Sequence, residues 1–272
     1  MTRLALACQE QLLTGDTLQQ KWESALSAGF DAIELRGKPA GAFAVRLPEL
    51  LRARADGVVM ETVCVDMLHF VGAFDDDLRR DAIEQMSQQL RTIAAIGGRL
   101  AVTPASYGMF SRRLPPFEPP RSPEDDRAVL VDGFGTLAGV AAAEGVLICI
   151  EPLNRYEDHM INTLAAAAEL CDTVGSPAMG ICADTYHMNI EETDVADSLA
   201  AAAPWLQHVQ VSDSNRLEAG TGHFDWPAAL AALDSVGFHH PLAYECRLSG
   251  PADDVLPVST EFLRRASTRP VV

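Results

Sequence analysis

Eight short apolar runs alternate with longer amphipathic stretches along the chain. Each run has the length and composition of a strand, and each is followed by residues with the periodicity of a helix. The predicted strands are residues 4–8, 32–35, 58–65, 100–103, 146–150, 179–183, 206–211 and 241–244. Strict alternation of strand and helix favours a parallel sheet, and eight such units favour its closure into an α/β fold of the (β/α)8 or TIM-barrel type.

Local signals mark where several helices begin and end. Thr17 opens the first helix, residues 75–96 show helical periodicity, and Asn162-Thr163 are candidates to cap a helix over residues 164–174. Glycines that mark returns to the next strand are Gly29, Gly97, Gly98, Gly145, Gly175 and Gly237. Because no linker divides the chain, residues 1–272 are predicted to form a single TIM-barrel domain. The chain length of 272 residues is close to the roughly 250 residues typical of this fold.

One irregular insert follows the fourth predicted strand. Residues 106–126 are rich in proline and contain the Arg112-Arg113 pair. A long connection of this kind is predicted to form a loop over the barrel mouth. It would either cover a substrate or be a structural excursion without a role in binding.

The last four predicted strands carry polar residues at their carboxyl ends. These residues are Glu151, Asp184, Gln210 and Glu245. Side chains alternate between the two faces of a strand, and the intervening positions are mostly bulky and apolar, as expected where they pack outward against helices. The polar set is therefore predicted to face the barrel axis at the end where barrel active sites form, and its oxygen donors suit a divalent metal.

Charge and composition exclude several classes of function. The net charge is −17 with an isoelectric point near 4.7, which argues against a nucleic-acid binder because phosphate recognition needs a basic patch. No apolar stretch approaches the roughly 20 residues of a membrane span, and the first residues run straight into a strand pattern rather than a signal peptide. A cytoplasmic protein is expected, without a disulfide framework, because its six cysteines are dispersed and form no CxxC pair.

Three ordered motifs in the second half of the chain resemble a known family. They are Ile-Glu-Pro-Leu-Asn-Arg-Tyr-Glu at 150–157, Asp-Thr-Tyr-His-Met-Asn-Ile-Glu-Glu at 184–192 and Ser-Asp-Ser-Asn-Arg at 212–216. With Gly-Thr-Gly-His-Phe-Asp at 220–225 and Tyr-Glu at 244–245, they are similar to the sugar isomerase and epimerase superfamily with xylose isomerase-like barrels. Within it they look closest to ketose 3-epimerases of the D-tagatose and D-psicose (allulose) type. The specific part of the resemblance covers residues 146–250.

The resemblance implies a ligand set for the metal. The family holds its ion with Glu, Asp, His and Glu, which match Glu151, Asp184, Gln210 and Glu245, so this chain has glutamine where histidine is usual. Hydroxypyruvate isomerases look similar at this position. A glutamine carbonyl is a hard donor, which favours Mn2+ or Mg2+, with Co2+ as a further option. His208 shares the face of Gln210, but Gln210 matches the motif and lies nearer the strand end.

The resemblance also implies the chemistry. A metal ion on the carbonyl and the neighbouring hydroxyl stabilises an enediolate, and two carboxylates on opposite faces of the substrate, Glu151 and Glu245, remove and return a proton. His187, Arg216 and Glu157 are expected to bind substrate oxygens. Simpler roles are also open to these residues, such as salt bridges or caps for the carboxylates, a structural hydrogen bond for Gln210, packing for His187 and a surface ion pair for Arg216.

The resulting expectation is a metal-dependent isomerase or epimerase of a ketose or related sugar. Two alternatives remain open: a hydroxypyruvate-type aldose–ketose isomerase, and a lyase acting on a 3-oxo-glycoside or an inosose, which in the deglycosidase case would need a second subunit. A sugar-binding barrel without activity is a non-enzymatic alternative. Relatives of this kind are usually homodimers or homotetramers, so a homo-oligomer is expected, or a hetero-oligomer if the deglycosidase alternative holds.

Overall fold

The strands form a closed parallel barrel, as the alternation of the sequence predicts. A computed structural model describes residues 3–109 and 118–267. Each strand pairs with the next, and the last pairs with the first. The strands are β1 (Leu6–Gln9), β2 (Ala32–Arg36), β3 (Thr62–Cys64), β4 (Leu100–Thr103), β5 (Leu147–Ile150), β6 (Met179–Asp184), β7 (Leu206–Val211) and β8 (Leu242–Tyr244). The predicted fold class is confirmed.

Helices follow every strand and surround the barrel. They are α1 (Leu18–Ser27), α2 (Ala42–Val45), α3 (Leu47–Ala55), α4 (Asp76–Ala95), α5 (Pro123–Glu144), α6 (Leu164–Val174), α7 (Thr185–Glu191), α8 (Val195–Ala202), α9 (Trp226–Ser235) and α10 (Ala252–Ala266). A short 3-10 turn at Glu10–Leu12 follows β1, and β2 and β6 are each followed by two helices. Within the described ranges, no helix combines the length and the apolar character needed to cross a membrane.

The predicted helix ends are mostly the observed ones. Thr17 caps α1 in a complete capping box, Asp75 caps α4, and Thr163 caps α6. Asn162, the other candidate cap, does not cap α6. Its side chain instead donates a hydrogen bond to the carbonyl of Leu153 at 2.7 Å. It thereby ties together the loop that follows β5.

Two predicted boundaries differ from the structure. The third strand is shorter than the predicted run over 58–65, although the carbonyl of Val59 still accepts a hydrogen bond from Ile33 N–H at 2.8 Å. The insert over 106–126 also ends earlier, because Ser122 caps α5 and its last predicted residues belong to that helix. The Arg112-Arg113 pair lies outside the described residues.

The interior of the barrel contains two small apolar clusters on different strands. One consists of Ala7, Ala32 and Ala243 on β1, β2 and β8, and the other of Leu100, Val102, Cys149 and Cys182 on β4, β5 and β6. The alternate strand residues, such as Ile148, Ile181 and Val209, point outward into the large core under the helices. Buried polar side chains share the barrel interior with these clusters, since Thr62 and His208 both contact Glu34 there.

The glycines of α5 provide a test of the packing between helix and barrel. A Cβ at buried Gly133 would overlap Cγ1 of Val71, whereas a Cβ at exposed Gly135 would meet no atom within 4 Å. We expect Gly133→Ala to destabilise the protein by about 1–3 kcal/mol through overpacking. Gly135→Ala should stabilise it by about 0.5–1 kcal/mol because glycine is a poor helix former. Urea unfolding of both variants checks the pair, and equal effects would contradict this packing.

Candidate active site

The carboxyl ends of the strands surround a cavity of about 250 Å³. Glu151 follows β5 and Glu245 follows β8, and both line this cavity together with Glu157, His187 and Arg216. The apolar part of its wall comes from the loops after β3, β4 and β5 and consists of Val65, Phe70, Pro104, Tyr107 and Leu153. Five of the seven residues predicted for the site therefore meet in one pocket.

Asp184 supports the site from the end of β6. One carboxylate oxygen caps α7 by accepting hydrogen bonds from the N–H groups of Tyr186 (2.8 Å) and His187 (3.2 Å). The other oxygen accepts from Nη1 of Arg216 at 2.8 Å. The Asp-Thr-Tyr-His order thus has a geometric reason, since the capping aspartate starts a short helix that returns His187 to the cavity.

The hydrogen bonds of His187 determine what its ring can do. Its Nδ1 accepts the N–H of Asn154 at 3.0 Å, and the side-chain amide nitrogen of Asn154 lies 2.8 Å away. Burial is the main cause, and the charge of Arg216 the next, of a pKa of His187 lowered to about 4. The ring is therefore neutral at physiological pH. The network assigns its one proton to Nε2, which lies 3.7 Å from Oε1 of Glu151.

The same tautomer separates two roles for His187. Ligand atoms of Glu151, Asp184 and His187 lie within 4.8 Å of one another, which by distance alone fits a metal cluster. A protonated Nε2 cannot donate a lone pair to an ion, whereas it can donate a hydrogen bond. The ring is therefore better suited to a substrate oxygen than to a cation.

Asn154, which orients both His187 and Glu157 (3.1 Å), lies in the first motif but was not singled out in the sequence.

Arg216 neutralises part of the acidic cluster. Its guanidinium bonds Asp184 and also Glu245 (3.1 Å), and it lies over the ring of Tyr186 at 4.9 Å. Its backbone has a φ of 61°, a left-handed conformation uncommon outside glycine, asparagine and aspartate. The turn is held by a bond from Arg216 N–H to the carbonyl of Asp213 (2.9 Å). The backbone therefore bears local strain where it presents this side chain.

Asp213, in the same motif, has an organising role. Its carboxylate accepts from the indole N–H of Trp226 (3.0 Å) and from backbone N–H groups at Ser214, Gly220 and Phe224. These bonds overcome the effect of burial and hold the pKa of Asp213 below its ordinary value. The third motif and the Gly-Thr-Gly-His-Phe-Asp segment are thus joined through one side chain.

Glu151 has the least compensated charge of the cluster. Its Oε1 is buried and, within the described chain, has no hydrogen-bond partner. Burial, together with the charges of Glu245 and Asp184, raises the pKa of Glu151 well above its usual range. Carboxylate oxygens of Glu151 and Asp184 within 4.8 Å of each other, with Oε1 of Glu151 unpartnered among the described residues, fit a hard divalent cation.

Gln210 of β7 pairs with Asp184 of β6 and is fully buried. Its Nε2 donates to Glu34 at 2.8 Å, and its Oε1 accepts from the thiol of Cys182 at 3.3 Å. Among the described residues, those lining the cavity do not include Gln210. His208, the alternative ligand, is engaged still deeper, with Nε2 2.6 Å from Oε2 of Glu34. Glu34 was missed in the sequence, although a glutamate inside an apolar strand is itself a signal.

Comparison with known proteins identifies the family. Residues 22–266 match the family described as xylose isomerase-like TIM barrel. The 3-dehydro-D-guloside 4-epimerase of Escherichia coli (strain K12) is 34% identical over 247 residues, which cover 90% of this chain and 93% of that protein.

Solved structures agree with this result. The apo 3-keto-D-glucoside 4-epimerase from E. coli superposes with a TM-score of 0.91 and 33% identity, covering 97% of this chain and all of that one. The D-allulose 3-epimerase from Methylomonas sp., in complex with D-allulose, superposes with a TM-score of 0.81 and 25% identity, and 97% of each chain is covered. Matches of this length, on a barrel whose acidic mouth has the family's motifs in order, show that the chain belongs to the xylose isomerase-like TIM-barrel family and is a sugar isomerase or epimerase.

Proposed function

We propose that this protein is a divalent-metal-dependent epimerase that inverts the carbon next to the ketone of a keto-sugar, with keto-hexosides as its preferred substrate class. The observation that carries the proposal is the pair of carboxylates in one cavity, Glu151 after β5 and Glu245 after β8. The two strands are three positions apart around the barrel, so the carboxylates approach a bound sugar from different directions. Inversion needs this arrangement, because one group removes a proton from one face and the other returns it to the opposite face.

Four residues are proposed to hold the cation. They are Glu151, Asp184, Gln210 and Glu245. The bond from its Nε2 to Glu34 leaves Gln210 with only an oxygen to offer. When bound, a Mn2+ or Mg2+ ion would stabilise negative charge on the ketone oxygen. The buried, unpartnered Oε1 of Glu151 supports such a site.

The remaining polar residues are proposed to hold the sugar. The Nε2–H of His187 points toward the Glu151 side of the cavity and can donate to a sugar hydroxyl or carbonyl oxygen. Arg216 faces the Glu245 side, where its guanidinium offers further donors to oxygens. Glu157, oriented by Asn154, can accept a hydrogen bond from a hydroxyl group.

The preference for keto-hexosides is supported by the extent of the similarity. The relative named for a 4-epimerase reaction on a 3-dehydro-guloside is matched over nearly its whole length, at higher identity than the structure of the D-allulose 3-epimerase. Both reactions invert a carbon next to a ketone, so the same two carboxylates serve either one. Gln210 favours the hydroxypyruvate-type isomerase as a second candidate, on the resemblance alone.

The first prediction concerns the charge of Glu151. Because its pKa is raised in the folded protein, Glu151 makes a contribution to stability that falls as pH rises above the ordinary carboxyl pKa. Glu151→Gln should therefore stabilise the EDTA-treated protein at pH 8 by about 1 kcal/mol or more. This gain corresponds to a rise in Tm of roughly 2–4 °C. The substitution should also reduce the gain in Tm on adding Mn2+. Glu23→Gln, an exposed glutamate on α1, is the control. A lower Tm in EDTA with an unchanged response to Mn2+ would contradict the assignment.

The second prediction concerns proton transfer. In D2O the Mn2+-loaded protein should incorporate deuterium at the inverted carbon, which NMR detects directly. Glu151→Gln and Glu245→Gln should each lower the epimerisation rate by about 10²–10⁴-fold, since each removes one acid–base group. Glu23→Gln should have the wild-type rate. If either active-site variant still epimerises at more than a tenth of that rate, the two-carboxylate mechanism is wrong.

The third prediction concerns the substrate. We expect kcat/KM for methyl 3-keto-D-glucopyranoside to exceed those for D-psicose, D-tagatose and hydroxypyruvate by at least about tenfold, or roughly 1.4 kcal/mol. Products separated by chromatography distinguish the reaction classes. An epimer supports the proposal, whereas release of methanol or water would make the protein a lyase, and a higher kcat/KM for hydroxypyruvate would favour the isomerase.

A further inference from the structure

One carboxylate inside the barrel collects four hydrogen bonds beneath the cavity. Glu34 of β2 is fully buried. Its Oε1 accepts from Nε2 of Gln9 (3.0 Å) and Nε2 of Gln210 (2.8 Å), and its Oε2 faces Oγ1 of Thr62 (3.0 Å) and Nε2 of His208 (2.6 Å). Each of these four groups can donate a hydrogen bond, so the carboxylate of Glu34 is their common acceptor inside the barrel.

The Glu34 carboxylate determines the orientation of two amide groups. An amide can present its oxygen or its nitrogen to a neighbour, whereas an ionised carboxylate can only accept hydrogen bonds. Gln9 and Gln210 must both turn their nitrogens toward Glu34, and their oxygens then point elsewhere. The oxygen of Gln210 faces Cys182, and the oxygen of Gln9 faces the side chain of Gln11.

The network reaches only one of the two carboxylates that flank the sugar. The Nε2 of Gln9 lies 3.0 Å from Glu34 and 3.1 Å from Oε1 of Glu245, so this amide bridges the two acids. In the described part of the chain, by contrast, Glu151 Oε1 has no hydrogen-bond partner at all. Hydrogen bonds from the Glu34 network therefore hold Glu245 but do not hold Oε1 of Glu151.

We infer that Glu34 is a positioning residue. Through Gln9 it holds the carboxylate of Glu245, and through Gln210 it turns an amide so that the oxygen, which here accepts from the thiol of Cys182, is the atom that can bind the cation. The inference rests on the proposed function of Glu245 as a proton-transfer group. It assigns Glu34 a role beyond filling the barrel, and it predicts unequal effects on the two directions of the reaction. Each epimer gives up its proton to a different carboxylate, and only Glu245 depends on Glu34.

Glu34→Gln tests the inference, with Thr62→Val as the matched control. The control removes one donor from the same buried carboxylate but leaves Gln9 and Gln210 in contact with it. Two readouts are needed: the Kd for Mn2+ by electron paramagnetic resonance, and deuterium exchange in D2O measured separately from methyl 3-keto-D-glucopyranoside and from its C4 epimer. The Tm of each variant reports the purely structural cost.

The expected result is an asymmetric loss. Glu34→Gln should slow exchange from one epimer at least tenfold more than from the other, and it should weaken Mn2+ binding by about 10–100-fold. Thr62→Val should change Mn2+ binding and both exchange rates by less than about threefold. Equal effects of the two substitutions, or a symmetric loss from both epimers with unchanged Mn2+ binding, would overturn the inference.

A second variant covers the case in which Glu34→Gln does not fold. Gln9→Met removes the bridge to Glu245 and leaves Glu34 with its other three donors. It should reproduce the one-sided loss of exchange with Mn2+ binding unchanged, and wild-type exchange from both epimers would refute the role of the bridge. If the wild-type protein exchanges neither probe, the proposed function fails, and the Mn2+ affinities of Glu34→Gln and Thr62→Val alone decide the inference.

Discussion

Repulsion among carboxylates at the barrel mouth is the constraint on which the site depends. Glu151 and Asp184 are buried, Glu245 is partly buried, and one arginine, Arg216, bonds Asp184 and Glu245. Charges of one sign that lie close together are costly in a medium of low dielectric constant unless cations or protons offset them. Among the described residues Oε1 of Glu151 has no hydrogen-bond partner, which suits the binding of a cation there.

The barrel interior combines apolar packing with one polar network. Small and apolar side chains fill part of it. The four groups that bond Glu34 all belong to strands, which the sheet holds rigidly. The residues of the Glu34 network lie on strands, whereas His187 and Arg216, which are proposed to hold the sugar, lie just beyond them on a short helix and a turn. This division is general in barrel enzymes.

Residues within one motif have separate roles. In Ser-Asp-Ser-Asn-Arg, Asp213 organises the neighbouring segment through four hydrogen bonds, and Arg216 reaches the acidic cluster from a strained backbone. In the first motif, Glu151 faces the cavity, while Asn154 orients His187 and Glu157 from behind. Short motifs are therefore a combination of reacting groups and the groups that aim them. The two kinds are distinguished by their hydrogen bonds, which a string of residues does not display.

The sequence by itself determined the eight strand and helix units and the face on which the polar residues lie. Both follow from local rules: the period of side-chain direction in strands and helices, and the capping residues Thr17, Asp75 and Thr163 that begin the helices. It also indicated which strand ends carry the site, because parallel strands in a barrel bring their carboxyl ends to one mouth.

Only the tertiary structure decided how those side chains meet. It assigned the proton of His187 to the atom that faces the cavity, engaged His208 with Glu34, and showed that Gln9, from the first strand, reaches Glu245 at the end of the last. These contacts join residues up to 236 positions apart. Neither local periodicity nor motif order contains such information, since hydrogen-bond direction depends on how the closed barrel sets one strand against another.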